Sequence, residues 1–230
     1  MAPVRYDFKD LEELATVGAK LFLGAGSRAF MEKGEFTVAL AGGKTPRALY
    51  EKIAATSTLP KETLYLIPGD ERGVPVGDVA RNQTLFEQTI SKAGRFLSAP
   101  EGLNPKEVSK KWSAELGIFF TNRPQKNGMP VLDLAILGMG EDGHTASIFP
   151  GMVLRDYDKQ LTYPVDQIGE PPVPRVTLSM QFLRNAKERW VIVAGERKRR
   201  LIDKILSGDR FADNLPVAVV NPTAILIANQ

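Results

Sequence analysis

Leu132-Asp-Leu-Ala-Ile-Leu137 runs directly into Gly138-Met-Gly-Glu-Asp-Gly-His144. Five of the first six residues are apolar, which suits a short strand buried on both faces. The glycines after it make a turn at its carboxyl end. The same arrangement recurs along the chain. Phe36-Thr-Val-Ala-Leu-Ala41 stops at Gly42-Gly43, Thr63-Leu-Tyr-Leu-Ile67 closes into Pro68-Gly-Asp-Glu-Arg72, and Trp190–Val193 leads to Gly195-Glu-Arg-Lys198. Helical spacing of apolar residues fills Leu11 to Met31, Asn82 to Ser91, Pro105 to Phe120 and Lys198 to Leu206. A further helix should follow Gly43, with Thr45 as its N-cap and Pro46 at its first position. Strands are also expected at Arg175–Leu178 and Val217–Val220. Alternating apolar strands and helices predict an α/β fold: a doubly wound, mostly parallel, Rossmann-like sheet with helices on both faces.

Two loop candidates, Thr121 to Pro130 and the proline-rich Asp156 to Pro174, do not separate segments of different composition. Residues 1–230 are therefore expected to form one domain. At 43% hydrophobic and 25% charged residues, the composition is that of a globular chain. The formal charge of +3 is compatible with an anionic ligand but too mild for a nucleic-acid protein. The absence of cysteine excludes disulfides, thiolate metal sites and a cysteine nucleophile, and a single histidine excludes a multi-histidine zinc cluster. Neither a targeting segment nor an apolar run long enough to cross a bilayer is visible, so a cytoplasmic protein is expected.

In open α/β sheets, ligands bind beyond the carboxyl ends of the strands. Gly42–Pro46, Gly69–Pro75, Gly138–Pro150 and Gly195–Lys198 all follow strands, and parallel strands would gather them on one edge. Gly42-Gly43-Lys44-Thr45 resembles the end of a nucleotide-binding P-loop, but the glycine required five residues before Gly43 is Val38. A strand, two glycines and a helix start remain, which can face an anion or simply form an ordinary turn. Gly138–Gly143 fits G-x-G-x-x-G, yet Phe149-Pro150-Gly151 would interrupt the crossover helix that a dinucleotide site needs, after roughly two turns. His144 is the sole imidazole and lies in a strand-end loop, where a neutral ring could take a proton from water. Asp70-Glu71-Arg72 reads either as a solvated loop or as a turn whose Arg72 clamps a phosphate. Arg175 and the basic run Glu196-Arg-Lys-Arg-Arg200 carry the same ambiguity. The acids show no metal-ligand spacing.

The strings Leu40-Ala-Gly-Gly-Lys-Thr-Pro46, Gly69-Asp-Glu-Arg72 with Val74-Pro75, and Leu137-Gly-Met-Gly-Glu-Asp-Gly-His-Thr-Ala-Ser-Ile-Phe-Pro-Gly151 resemble the 6-phosphogluconolactonase family. Arg175-Val-Thr-Leu178 and Gly195-Glu-Arg-Lys198 extend the resemblance in the same order over nearly all of the chain. The wider superfamily includes glucosamine-6-phosphate deaminase, which carries an extra acid after its histidine. Phe149 stands there in this chain, which favours the lactonase reading. Gly73 and Arg81 depart from the residues common in lactonases, a bulky aromatic and a serine.

The resemblance implies hydrolysis of 6-phosphoglucono-1,5-lactone to 6-phosphogluconate, a step of the oxidative pentose phosphate pathway, with no metal or cofactor. Carried onto this sequence, it makes His144 the general base, assisted by Asp142 and Asp70. The phosphate would lie against Gly42, Gly43, Lys44 and Thr45, with Arg72, Lys198 and Arg175 as cationic partners. The expected partner is a small phosphorylated sugar lactone. No nucleic acid or membrane is expected, and a monomer is expected although the sequence does not determine it. The alternatives are a deaminase-type isomerase, a non-catalytic sugar-phosphate sensor and a dinucleotide-dependent oxidoreductase using Gly138–Gly143.

Overall fold

The computed structural model describes residues 2–152 and 160–229. In chain order its strands are β1 (Val4–Phe8), β2 (Phe36–Leu40), β3 (Leu64–Pro68), β4 (Asp70–Arg72), β5 (Arg95–Phe96), β6 (Gln125–Lys126), β7 (Met129–Pro130), β8 (Leu134–Gly138), β9 (Thr162–Val165), β10 (Arg175–Leu178), β11 (Glu188–Ala194) and β12 (Ala224–Ala228). Its helices are α1 (Leu11–Lys33), α2 (Arg47–Thr56), α3 (Asn82–Thr89), α4 (Pro105–Phe120), α5 (Met180–Arg184), α6 (Glu196–Leu206) and α7 (Pro216–Val219).

Seven strands form one sheet in the order β1-β12-β11-β8-β2-β3-β5, and every pairing in it is parallel. The chain builds outward from β2 through β3 to β5, then returns to place β8 on the other side of β2. The order therefore reverses between β2 and β8, where a doubly wound sheet opens a crevice. Side chains alternate across the sheet, as the two-residue period of a strand requires. On β8, Leu134 and Ile136 join the cluster with Phe22, Phe36 and Leu49, whereas Ala135 and Leu137 join the opposite one with Trp112, Phe120 and Phe182. With both faces covered, the central strands can be apolar throughout, as the sequence predicts.

A second sheet of three antiparallel strands, β4-β10-β9, stands beside the carboxyl ends of the main sheet. Arg175–Leu178 is thus a strand as expected, but of this smaller sheet. Asp70-Glu71-Arg72, expected as a loop, is the strand beside it, with Asp70 and Glu71 only 4% and 3% exposed.

Three expectations are corrected. Val217–Val220 is not a strand: Pro216 opens the short helix α7, and the last strand is β12, Ala224–Ala228. Thr45 does not cap α2, because that helix starts at Arg47 after Pro46, with no side-chain cap. No helix follows Gly138–Gly143 among the described residues. Thr145 and Ile148 instead bridge across a tight turn, in which Ala146 takes φ 49°. Of the loop expected over Asp156 to Pro174, residues 156–159 lie outside the described residues, and Thr162–Val165 is β9.

Candidate active site

The carboxyl ends of β2, β3, β8 and β11 converge on a cavity of about 260 Å³ at the β2/β8 switch point. The parallel pairing that the sequence reading required is present, and the four loops do meet.

The β8 loop carries the imidazole. His144 Nδ1 lies 2.6 Å from Asp142 Oδ1, and the same oxygen accepts the His144 backbone N–H at 3.1 Å. A carboxylate oxygen can only accept, so the shared hydrogen sits on Nδ1, and in the neutral ring this tautomer leaves the lone pair on Nε2. Phe149 packs its ring against the imidazole, with centroids 4.6 Å apart and planes tilted by 39°. From behind, Val217 N–H donates to the Gly143 carbonyl at 3.1 Å, while Gly143 itself, at φ 84°, lies against Leu215. Gly140 allows the close approach of the ring: a Cβ there would stand 2.2 Å from the imidazole and 2.6 Å from Asp142 Oδ1. Gly140→Ala is therefore expected to leave the fold intact but push the ring out of place. A displacement of this kind should lower kcat about 10²-fold, measurable by steady-state kinetics beside a circular-dichroism check of folding.

The β2 end presents a cradle. Tyr50 is fully buried and donates its hydroxyl to the Ala41 carbonyl at 2.8 Å, fixing where the chain leaves the sheet. Gly42 leaves room for Asn82, whose Oδ1 would lie 2.0 Å from a Cβ, and Gly43 takes φ 96°. Lys44, Thr45 and Pro46 then lead into α2 along the cavity wall, next to backbone N–H groups that the helix itself cannot satisfy.

Asp70 organises the third side. It accepts from Asn82 Nδ2 at 3.0 Å and from the Ser147 hydroxyl. The same carboxylate lies 3.9 Å from Arg72 Nε and 3.8 Å from Arg175 Nη1. Arg72 and Arg175 face each other across β4 and β10, an arrangement of like charges that disfavours the pair unless an anion lies between or beside them. Burial and the neighbouring Arg72 charge hold Arg175 below the usual arginine value. Arg175 donates Nε to the Ile168 carbonyl and Nη2 to that of Pro171, and Arg72 donates Nη1 to the Ala80 carbonyl. Beneath them the buried Glu71 accepts from the backbone N–H of Arg72, Asn82 and Gln83 at 2.7, 2.8 and 2.8 Å. Burial nevertheless raises its carboxyl above the ordinary glutamate value. Arg81, the departure noted in the sequence, is buried 3.8 Å from that carboxylate.

Lys198, in the first turn of α6, completes the wall, and burial lowers its ammonium from the ordinary lysine value. Gly42, Gly43, Lys44, Thr45, Asp70, Arg72, His144, Arg175 and Lys198 all line the one cavity; Asp142 stands behind His144 as its partner. Asn82, Ser147 and Glu170 also belong to the site or its support, and residue type alone did not single them out. Among the described residues, no group of three or more His, Asp or Glu could hold a metal ion.

Over residues 9–227 the sequence matches the family described as glucosamine-6-phosphate isomerases/6-phosphogluconolactonase. The chain belongs to this family. A 6-phosphogluconolactonase from Synechocystis sp. is 30% identical over 207 residues, covering 87% of this chain and 84% of that protein. One from Bos taurus is 30% identical over 229 residues, covering 94% and 86%. The crystal structure of a 6-phosphogluconolactonase from Thermotoga maritima superposes with a TM-score of 0.83 at 26% identity, covering 99% of this chain and 100% of that one. Within the family, this chain has Phe149 packed against the histidine where the resemblance places the deaminases' additional acid.

Proposed function

We propose that the chain is a 6-phosphogluconolactonase, hydrolysing 6-phosphoglucono-1,5-lactone to 6-phosphogluconate. The observation that carries this reading is one cavity joining a His144–Asp142 pair to a cradle lined by Arg72 and Lys198. His144 Nε2 takes a proton from water as the water oxygen attacks C1. The resulting oxyanion draws on nearby backbone N–H donors. The C1–ring-oxygen bond then breaks, and the imidazolium returns its proton to the departing oxygen, which becomes the C5 hydroxyl. Asp142 holds the ring in the required tautomer and stabilises its charged form. An apolar Phe149 beside the imidazole offers no second proton carrier, in keeping with hydrolysis and against ring-opening deamination.

The phosphate lies at Gly42, Gly43, Lys44 and Thr45, held by Lys198 and Arg72. Arg175 adds its field while anchoring the Ile168 and Pro171 carbonyls. Asp70 spaces the two guanidinium groups and ties them to Ser147. Freshly made lactone should release acid above its spontaneous rate, while glucosamine 6-phosphate should release no ammonia. The reverse pair of results would assign the chain to the deaminase branch.

Lys198→Ala should raise KM on the order of 10–100-fold with kcat nearly unchanged, the size of a lost charge-assisted hydrogen bond. Because burial lowers Lys198 from 10.5, its charge is lost at a lower pH than that of a solvated lysine. Affinity for 6-phosphogluconate should therefore weaken as pH rises through that lowered value. Titration calorimetry of wild type and Lys198→Ala across the alkaline range checks this, since the variant should lack that limb.

A further inference from the structure

The turn that follows His144 is fastened on two sides. Toward β8 it is held by its own chain: Gly140 N–H donates to the His144 carbonyl at 3.0 Å, and the Thr145 hydroxyl to that of Gly138 at 2.8 Å. Toward the small sheet, among the described residues, both hydrogen bonds belong to Ser147, which is fully buried. Its hydroxyl donates to Asp70 Oδ2, and its backbone N–H donates to Thr177 Oγ1 at 3.3 Å. Asp70 and Thr177 are direct partners in the pairing of β4 with β10, and Arg72 and Arg175 are partners two residues along. Side chains alternate along a strand, so these four residues share one face of the small sheet. The Asp70 carboxylate accordingly lies 3.9 Å from Arg72 Nε and 3.8 Å from Arg175 Nη1.

A six-membered lactone ring keeps C1 at a nearly fixed reach from the phosphate on C6, so the base and the phosphate site must hold one spacing. In this fold they stand on different sheets. His144 is on the loop after β8, whereas Arg72 and Arg175 are on β4 and β10. We propose that Ser147 is a positioning residue, which through Asp70 and Thr177 sets the His144 turn in register with the two arginines. Ser147 does not line the cavity, so it acts through these neighbours and not on the substrate. This inference rests on the lactonase reading and adds to it the element that joins the chemistry to the phosphate site.

Ser147→Ala should lower kcat on freshly made lactone about 10²-fold, the scale of a misplacement near 1 Å. Inorganic phosphate, used as a competitive inhibitor, should keep its wild-type inhibition constant, because it needs the arginines alone. His144 is the only imidazole, so its NMR signals titrate by themselves. They should follow the wild-type curve, since Asp142 still holds the ring. Thr177→Val removes the second anchor while keeping the side chain's shape. It should lower kcat in the same direction by less, and it carries the test if Ser147→Ala does not fold. An unchanged kcat in both variants would overturn the inference. So would a fall matched by an equal loss of phosphate affinity, which marks a general loosening, or a displaced imidazole titration, which marks an effect on the base itself. A wild-type protein that does not hydrolyse the lactone would overturn the lactonase reading and this inference together. Wild-type turnover equalled by Ser147→Ala would overturn the inference alone.

Discussion

His144→Ala should lower kcat about 10²–10⁴-fold, the usual share of a positioned general base, and leave KM within a few-fold of wild type. The ring meets the cavity on one side and Asp142 on the other, and the cradle proposed for the phosphate is made by different residues. Removing it therefore takes away proton transfer and leaves binding in place. Asp142→Asn keeps an oxygen that can accept from Nδ1 but loses the charge that favours the imidazolium, so a smaller fall in kcat is expected. Kinetics on freshly made lactone, corrected for spontaneous hydrolysis, measures both. His144→Ala and Lys198→Ala losing kcat and KM in equal proportion would contradict the division between chemistry and phosphate binding.

Asp133→Ala should cost about 3–5 kcal/mol of stability, the usual penalty for breaking a buried ion pair by removing one partner. Asp133 is 5% exposed and lies just before β8, at the end of the sheet opposite the cavity. Its Oδ2 accepts the backbone N–H and the hydroxyl of Thr37, each at 2.9 Å, and lies 2.9 Å from Lys33 Nζ. Oδ1 faces Lys187 at 3.4 Å. One side chain thus fixes β2 against β8, the two strands whose far ends open the cavity. Alanine would leave the two Thr37 donors buried without their acceptor. For a chain of this length the loss corresponds to a fall in Tm of roughly 10 °C, measurable by calorimetry. Asp133→Asn, which keeps an acceptor for Thr37, should fall between the alanine variant and wild type. An alanine variant that melts with wild type would remove this cluster from the account of stability.

The strands that cross the middle of the sheet were legible because burial on both faces leaves runs such as Phe36–Leu40 with almost no polar residue. The site loops were legible because glycines and charges stand at the ends of those runs. β1 was not, since Val4-Arg-Tyr-Asp-Phe8 is an edge strand with two of its five residues exposed, and its charges interrupt the apolar pattern. Val217–Val220 misled for the opposite reason: β-branched residues favour a strand, but Pro216 fits the first position of a helix and Val217 is needed against the Gly143 carbonyl. The burial of Asp70 and Glu71 was hidden as well. Three consecutive charges read as solvated until Arg175–Leu178, more than a hundred residues later, pairs with them and supplies the wall. The sequence marked Phe149 only as standing where the deaminases carry an acid; that its ring lies against the one imidazole is visible only in the structure.

The most direct test is turnover of freshly prepared 6-phosphogluconolactone by wild-type protein, beside gluconolactone without the phosphate. Acid release, corrected for spontaneous hydrolysis, gives kcat/KM for each. The expected result is hydrolysis of the phosphorylated lactone with kcat/KM at least about 100-fold above that of the other, the combined share of two or more charge-assisted contacts to phosphate. Folded protein that hydrolyses neither lactone above background, or both equally well, would contradict it.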